Sequence, residues 1–162
     1  MALSEQDANR IEAFREYIED MVSGDDRYGS PVRQDTDAAL ATRFFEGTSC
    51  WFEVAVLPST RQIRVGFFTT DSTINTDCEQ VITDSGDTVV RFVGQAFVEA
   101  GLDWPAPSVE HGKDGAASFY ATSLQFDDMI DLDADDLRDK VIRMLEGYLI
   151  AFGPALGAEE ED

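Results

Sequence analysis

The chain has 162 residues, 33 of them acidic and 12 basic, for a net charge of −21. A hydrophobic fraction of 43% and a charged fraction of 28% exclude a disordered, collagen-like or low-complexity protein, and the length suits one hydrophobic core. The charge excludes a general nucleic-acid binder, which needs Lys and Arg to neutralise phosphates. It also argues against docking on anionic lipid headgroups.

No run approaches the ~18 apolar residues of a membrane span. The start, Met1 to Asp7, is acidic and lacks the basic and apolar regions of a signal peptide. A cytoplasmic protein is therefore expected. The cysteines are Cys50 and Cys78; two make no disulfide framework, and no Cys/His cluster points to zinc. Lysine occurs only at Lys113 and Lys140, and Asp outnumbers Glu by 20 to 13. Such an acid-rich, lysine-poor surface is what high-salt cytoplasm favours, because salt screens its self-repulsion; a GC-rich genome is the alternative source of arginine for lysine.

A helix is expected from Ser4 to Ser23, with Ser4 as cap and Glu5 and Asp7 at its positive end. Ile11, Phe14, Tyr17, Ile18, Met21 and Val22 form its apolar stripe. The segment Asp25 to Thr36 reads as a loop. Three strands follow, within Ala38–Glu46, at Cys50–Leu57 and at Arg61–Thr70. The second and third alternate in polarity and are joined by Pro58-Ser59-Thr60 as a hairpin. Gly66 marks a bulge or a close backbone approach.

A second helix starts at Asp77 or Asp87 and ends at Ala100; Ser85-Gly86 could break it. Val89, Phe92, Val93, Ala96, Phe97 and Ala100 form its core stripe, and Val90, Gly94 and Val98 a second stripe beside it. A helix covering one sheet face needs only one stripe. Either the helix is sandwiched inside the monomer or it faces another subunit; the expected partner is another copy of the chain, through Val90, Gly94, Phe97 and Val98. An extended connector, Asp103 to Pro107, leads to a short strand, Ser108–His111. A turn at Lys113-Asp114-Gly115 and a strand at Ala117–Phe126 follow. The last helix runs from Asp133 to Phe152 and stops at Gly153-Pro154. Residues 1–154 make one domain, and 155–162 an acidic, frayed tail. The fold class is α+β, in the order α-β-β-β-α-β-β-α: an antiparallel sheet with helices packed on one side.

Candidate chemistry is sparse. Asp131, Asp133 and Asp135 invite a calcium reading, but Asp136 and Ile142 stand where a calcium loop needs Gly and Glu; acids at a helix start explain them. His111 is the only histidine, so no multi-histidine metal site exists, and a surface position is expected. Cys78 after Asp77 could lie at a helix start, yet the surrounding acids oppose a thiolate; Cys50 reads as filler. Glu53 with Glu46 and Arg64 could form a carboxylate site, and cross-strand charge pairing explains them as well. No nucleophile elbow, phosphate loop or dinucleotide fingerprint is present. No catalytic residue, metal or cofactor is assigned. Trp51, Phe68, Trp104 and Tyr120 are candidates for an apolar groove.

The opening helix with Ile11, Phe14 and Ile18, the Cys50–Thr70 hairpin and the helices Val89–Ala100 and Leu137–Phe152 together resemble the type III secretion chaperone-like fold, shared with the YbjN-like bacterial proteins. The resemblance spans Ser4 to Phe152 and is one of element order. It implies a small homodimer and non-enzymatic binding of an extended segment of another protein in apolar grooves. The expected function is accordingly a dimeric, chaperone-like or regulatory protein-binding module. A small-ligand binder or carboxylate enzyme, and an acidic mimic of nucleic acid, are the alternatives.

Overall fold

The computed structural model describes residues 3–45 and 49–160. Glu46, part of the proposed carboxylate site, lies outside them. Helix α1 (Glu5–Val22) opens on Ser4, whose hydroxyl accepts the Asp7 N–H at 3.1 Å. Its buried side is Ile11, Phe14, Arg15, Ile18 and Val22. Met21, placed on that stripe by spacing, is 57% exposed.

The expected loop at Asp25–Thr36 contains a strand of its own, β1 (Val32–Arg33). It pairs with β2 (Leu40–Phe44), narrower than the Ala38–Glu46 window. Local propensity hardly signals a two-residue strand; it exists because β2 offers an edge and α1 holds it. Arg33 reaches Glu12 at 2.8 Å and Glu19 at 3.0 Å. β3 (Cys50–Leu57) and β4 (Gln62–Thr69) form the expected hairpin. β5 (Glu110–Asp114) and β6 (Ala117–Gln125) form a second one. The turn between them falls at Gly115-Ala116, later than expected, because Gly115 takes a φ of +62° that suits a two-residue turn. β5 is accordingly shifted from Ser108–His111 to Glu110–Asp114. The sheet order is β1-β2-β3-β4-β6-β5, antiparallel throughout.

The expected second helix is two. α2 (Ser72–Ser85) is capped by Asp71, and Gly86 ends it in the left-handed conformation at φ +77°. Thr88 then caps α3 (Val89–Glu99). Cys78 sits in the second turn of α2 and is fully buried, so it is no helix-start thiol. A 3-10 turn (Met129–Asp133) leads into α4 (Asp135–Glu160), which begins two residues later than expected and continues past Pro154. Proline removes one helical hydrogen bond, yet Ala155 and Leu156 beyond it are buried in the core. Burial of that last turn outweighs the break, and the stretch from 155 to 160 is helix.

The architecture is α+β. Among the described residues it has four α-helices and one six-stranded antiparallel sheet with the helices packed against it. Phe52, Val54 and Val56 of β3 and Ile63, Val65 and Phe67 of β4 face the helices and form the main core with α1, α3 and α4. Thr122 on that face bonds the Tyr148 hydroxyl of α4 at 2.8 Å, both fully buried. No described helix is long and apolar enough to cross a membrane.

Candidate functional site

Strand alternation sends the other half of the sheet away from the helices. On this outer face β3 presents Trp51 and Glu53, β4 presents Arg64 and Phe68, and β2 presents Arg43. The register sets Trp51 beside Phe68, Phe68 beside Phe119, and Glu53 beside Arg43 and Gly66. These neighbours are in contact. Trp51 and Phe68 stack with centroids 5.7 Å apart and planes 4° apart, and Phe119 stacks on Phe68 at 5.5 Å. The Arg43 guanidinium lies 4.0 Å over the Trp51 ring, a cation–π contact. This second, smaller apolar cluster is separate from the helix-side core.

Gly66 explains why β4 and β6 can approach as they do. A Cβ there would strike the Tyr120 carbonyl and lie 2.7 Å from the Ala121 Cβ. The register past Gly66 is unbroken, so of the two expectations close approach holds and a bulge does not.

The cluster floors a groove of about 480 Å³. One wall is the segment from Gln34 to Ala39, and the other is the β5–β6 turn with Asp114, Ala116 and Ala117. Arg15 of α1 fixes the first wall. Its guanidinium donates to both Asp35 oxygens, at 3.1 and 2.8 Å, and to the Ala41 carbonyl at 3.0 Å. Asp35 in turn accepts the Ala41 N–H at 3.1 Å. Arg15 is 6% exposed and Asp35 43%, so a buried guanidinium anchors an exposed acid of the wall.

Glu53 is the buried centre of the groove floor, 6% exposed. Arg64 Nη2 lies 3.4 Å from one carboxylate oxygen and Arg43 Nε 3.9 Å from the other. Burial pushes the Glu53 carboxyl up from its ordinary value, and the Arg64 and Arg43 charges pull against that rise. Two guanidinium N–H groups in the same place, Arg43 Nε and Arg64 Nε, are buried without a partner in hydrogen-bond geometry, and the Trp51 indole N–H is turned to the Glu53 carboxylate. The site has donors to spare.

The aromatic set expected to form one groove is divided. Trp51 and Phe68 line the outer groove. Tyr120 is on the helix face, 4.7 Å from Phe152, because odd and even positions of β6 point to opposite sides. Trp104, half-buried on the connector, packs on Phe97 at 6.0 Å and under Lys140 at 4.4 Å. The expected α3 dimer surface is also largely occupied. A Cβ at Gly94 would strike the Pro105 carbonyl and lie 3.0 Å from the Pro107 ring. Phe97 is fully buried against Trp104 and Tyr148. The connector, not a second copy, covers Gly94; Val90 is half-buried and Val98 is 50% exposed.

His111, expected at the surface, stacks on Tyr120 at 4.0 Å, and its Nδ1 is 2.9 Å from the Phe119 carbonyl. Cys50 and Cys78 both belong to the helix-side core. Among the described residues no group of three or more His, Cys, Asp or Glu converges as a metal site. Sequence reasoning paired Glu53 with Arg64 but missed Arg43 and the wall from Gln34 to Ala39. Alternation along β2 could have pointed to Arg43; nothing local points to the wall. Comparison with protein-family models, curated proteins and solved structures finds no match to this chain.

Proposed function

We propose that this chain is a non-enzymatic binding module that holds an extended segment of another protein across the outer face of its sheet. The observation that carries the reading is the groove itself. It has an aromatic floor, two walls from distant parts of the chain, and unpartnered donors at its base. It crosses from β2 over β3 and β4 toward β6. At ~4.8 Å per strand spacing, three spacings give roughly 14 Å, about the length of four extended residues. The element order also resembles the type III secretion chaperone-like fold, whose relatives bind extended segments, and this supports the same reading. Dimerisation through α3 is not needed for it: Gly94 in the middle of the second apolar stripe has an intramolecular cover in Pro105 and Pro107, and Val98 stays 50% exposed.

A small organic ligand in the same groove is the second reading. The volume of about 480 Å³ favours it, falling within the roughly 300–1,000 Å³ typical of small-molecule sites. One experiment addresses both. Ala38 is exposed on the groove wall, so Ala38→Trp fills the groove without touching the core. A random hexapeptide library panned on the wild-type chain should enrich sequences that no longer bind Ala38→Trp. Enrichment that survives Ala38→Trp, or no enrichment, overturns the peptide reading. A small-molecule screen whose hits are lost in Ala38→Trp would then support the second.

A further inference from the structure

We infer that the groove selects a carboxylate, with Arg43 and Arg64 as the residues that receive it; this rests on the reading of the groove as a binding site. The chain has 33 acidic and 12 basic residues, and three of its arginines are each met by two acids. Arg10 pairs with Asp7 and Asp133, Arg27 with Asp25 and Glu146, and Arg33 with Glu12 and Glu19. At the groove floor the ratio inverts: Arg43 and Arg64 share Glu53, their one ion-pair partner among the described residues.

One carboxylate cannot satisfy two guanidinium forks. Each guanidinium has five N–H donors, and the Nε–H of both arginines is buried without an acceptor. Trp51 Nε1–H, on a residue 9% exposed, is turned to the same Glu53 carboxylate, so a third donor competes for that one acid. Every deficit here is of an acceptor. A ligand oxygen is therefore wanted, and an anionic one also balances the second arginine. Asp114 on the far wall is the remaining lining charge. It is exposed on β5, where water screens it more than the buried floor. Charge-assisted bonds to guanidinium are about twice as strong as neutral ones, so carboxylate is preferred over a carboxamide of the same shape. Trp51 and Phe68, 9% and 3% exposed, line the groove beside the half-buried Phe119, an apolar flank that suits an aromatic or aliphatic residue beside the acid.

The source of the carboxylate could be an acidic side chain or a chain end, and three probes separate them. These are acetyl-Phe-Glu-Phe-amide, its Gln counterpart, and acetyl-Phe-Phe with a free carboxylate. Binding to the full chain is read by Trp51 emission in a Trp104→Phe background, with calorimetry as a second measure. The expected result is at least about tenfold tighter binding of one carboxylate probe over the Gln probe. That preference should vanish in Arg43→Gln and in Arg64→Gln. Arg64→Lys, which keeps the charge and loses the Nε–H, should retain only part of it. Preference for the Glu probe assigns a side chain; preference for the free end assigns a terminus. Binding of the Gln probe as tight as that of both carboxylate probes, blocked by Ala38→Trp, overturns the carboxylate inference and leaves the groove reading standing. No saturable change with any probe overturns both.

Discussion

Gly94→Ala puts the cover of α3 to a test of sign. Alanine is the better helix former by about 1 kcal/mol, so a solvent-facing position would be stabilised. Here the new methyl would collide with the Pro105 carbonyl, lie 2.7 Å from the Pro105 carbonyl carbon and 3.0 Å from the Pro107 Cδ. Two prolines stiffen that connector, so it can yield little. Overpacking of this kind costs ~1–3 kcal/mol. After subtracting the helix gain, the net loss is about 0–2 kcal/mol, a fall in Tm of no more than roughly 6 °C for a chain of this size. Thermal melts followed by circular dichroism, at low and at high protein concentration, measure it. A rise in Tm would mean that Pro105 does not sit over Gly94. A loss that depends on protein concentration would mean that a second copy covers this helix.

Tyr148→Phe should cost about 1–2 kcal/mol in urea unfolding, because it strands the fully buried Thr122 hydroxyl, 2.8 Å from the Tyr148 oxygen. Adding Thr122→Val should recover part of the loss, and a double variant worse than both singles would contradict the pairing. Leu156→Ala should lower stability by about 2 kcal/mol, since Leu156 is buried beyond Pro154; unchanged stability would return this stretch to a frayed tail. For Glu53, burial raises the folded carboxyl above the ordinary 4.5 against the pull of Arg64 and Arg43. Its contribution to stability is therefore full below about pH 4.5 and is lost as pH rises through the folded value. The stability of wild type minus that of Glu53→Gln, followed by urea unfolding from acid to neutral pH, should fall with rising pH. A flat or rising difference would show that the arginines outweigh burial.

Much of this protein is written locally. The Ser4 cap, the stripe through Ile11, Phe14 and Ile18, and the alternation of β3 and β4 all follow from short-range periodicity. They determine helices, strands and the faces they bury, and hence the α+β class. The tertiary structure decided what local pattern leaves open. Arg33 could become part of a two-residue strand only because β2 and the acids of α1 lie alongside it. α4 passes Pro154 because Ala155 and Leu156 have a core to enter. The connector covers the second stripe of α3 at Gly94 and leaves Val98 50% exposed; a sequence pattern shows that a surface must be covered and not by what. The groove is the same case: Arg43, Glu53 and Arg64 lie on three different strands, and register alone brings two arginines to one acid. Long-range pairing costs chain entropy that no local signal records, so the elements are legible in the chain and the site they build together is not.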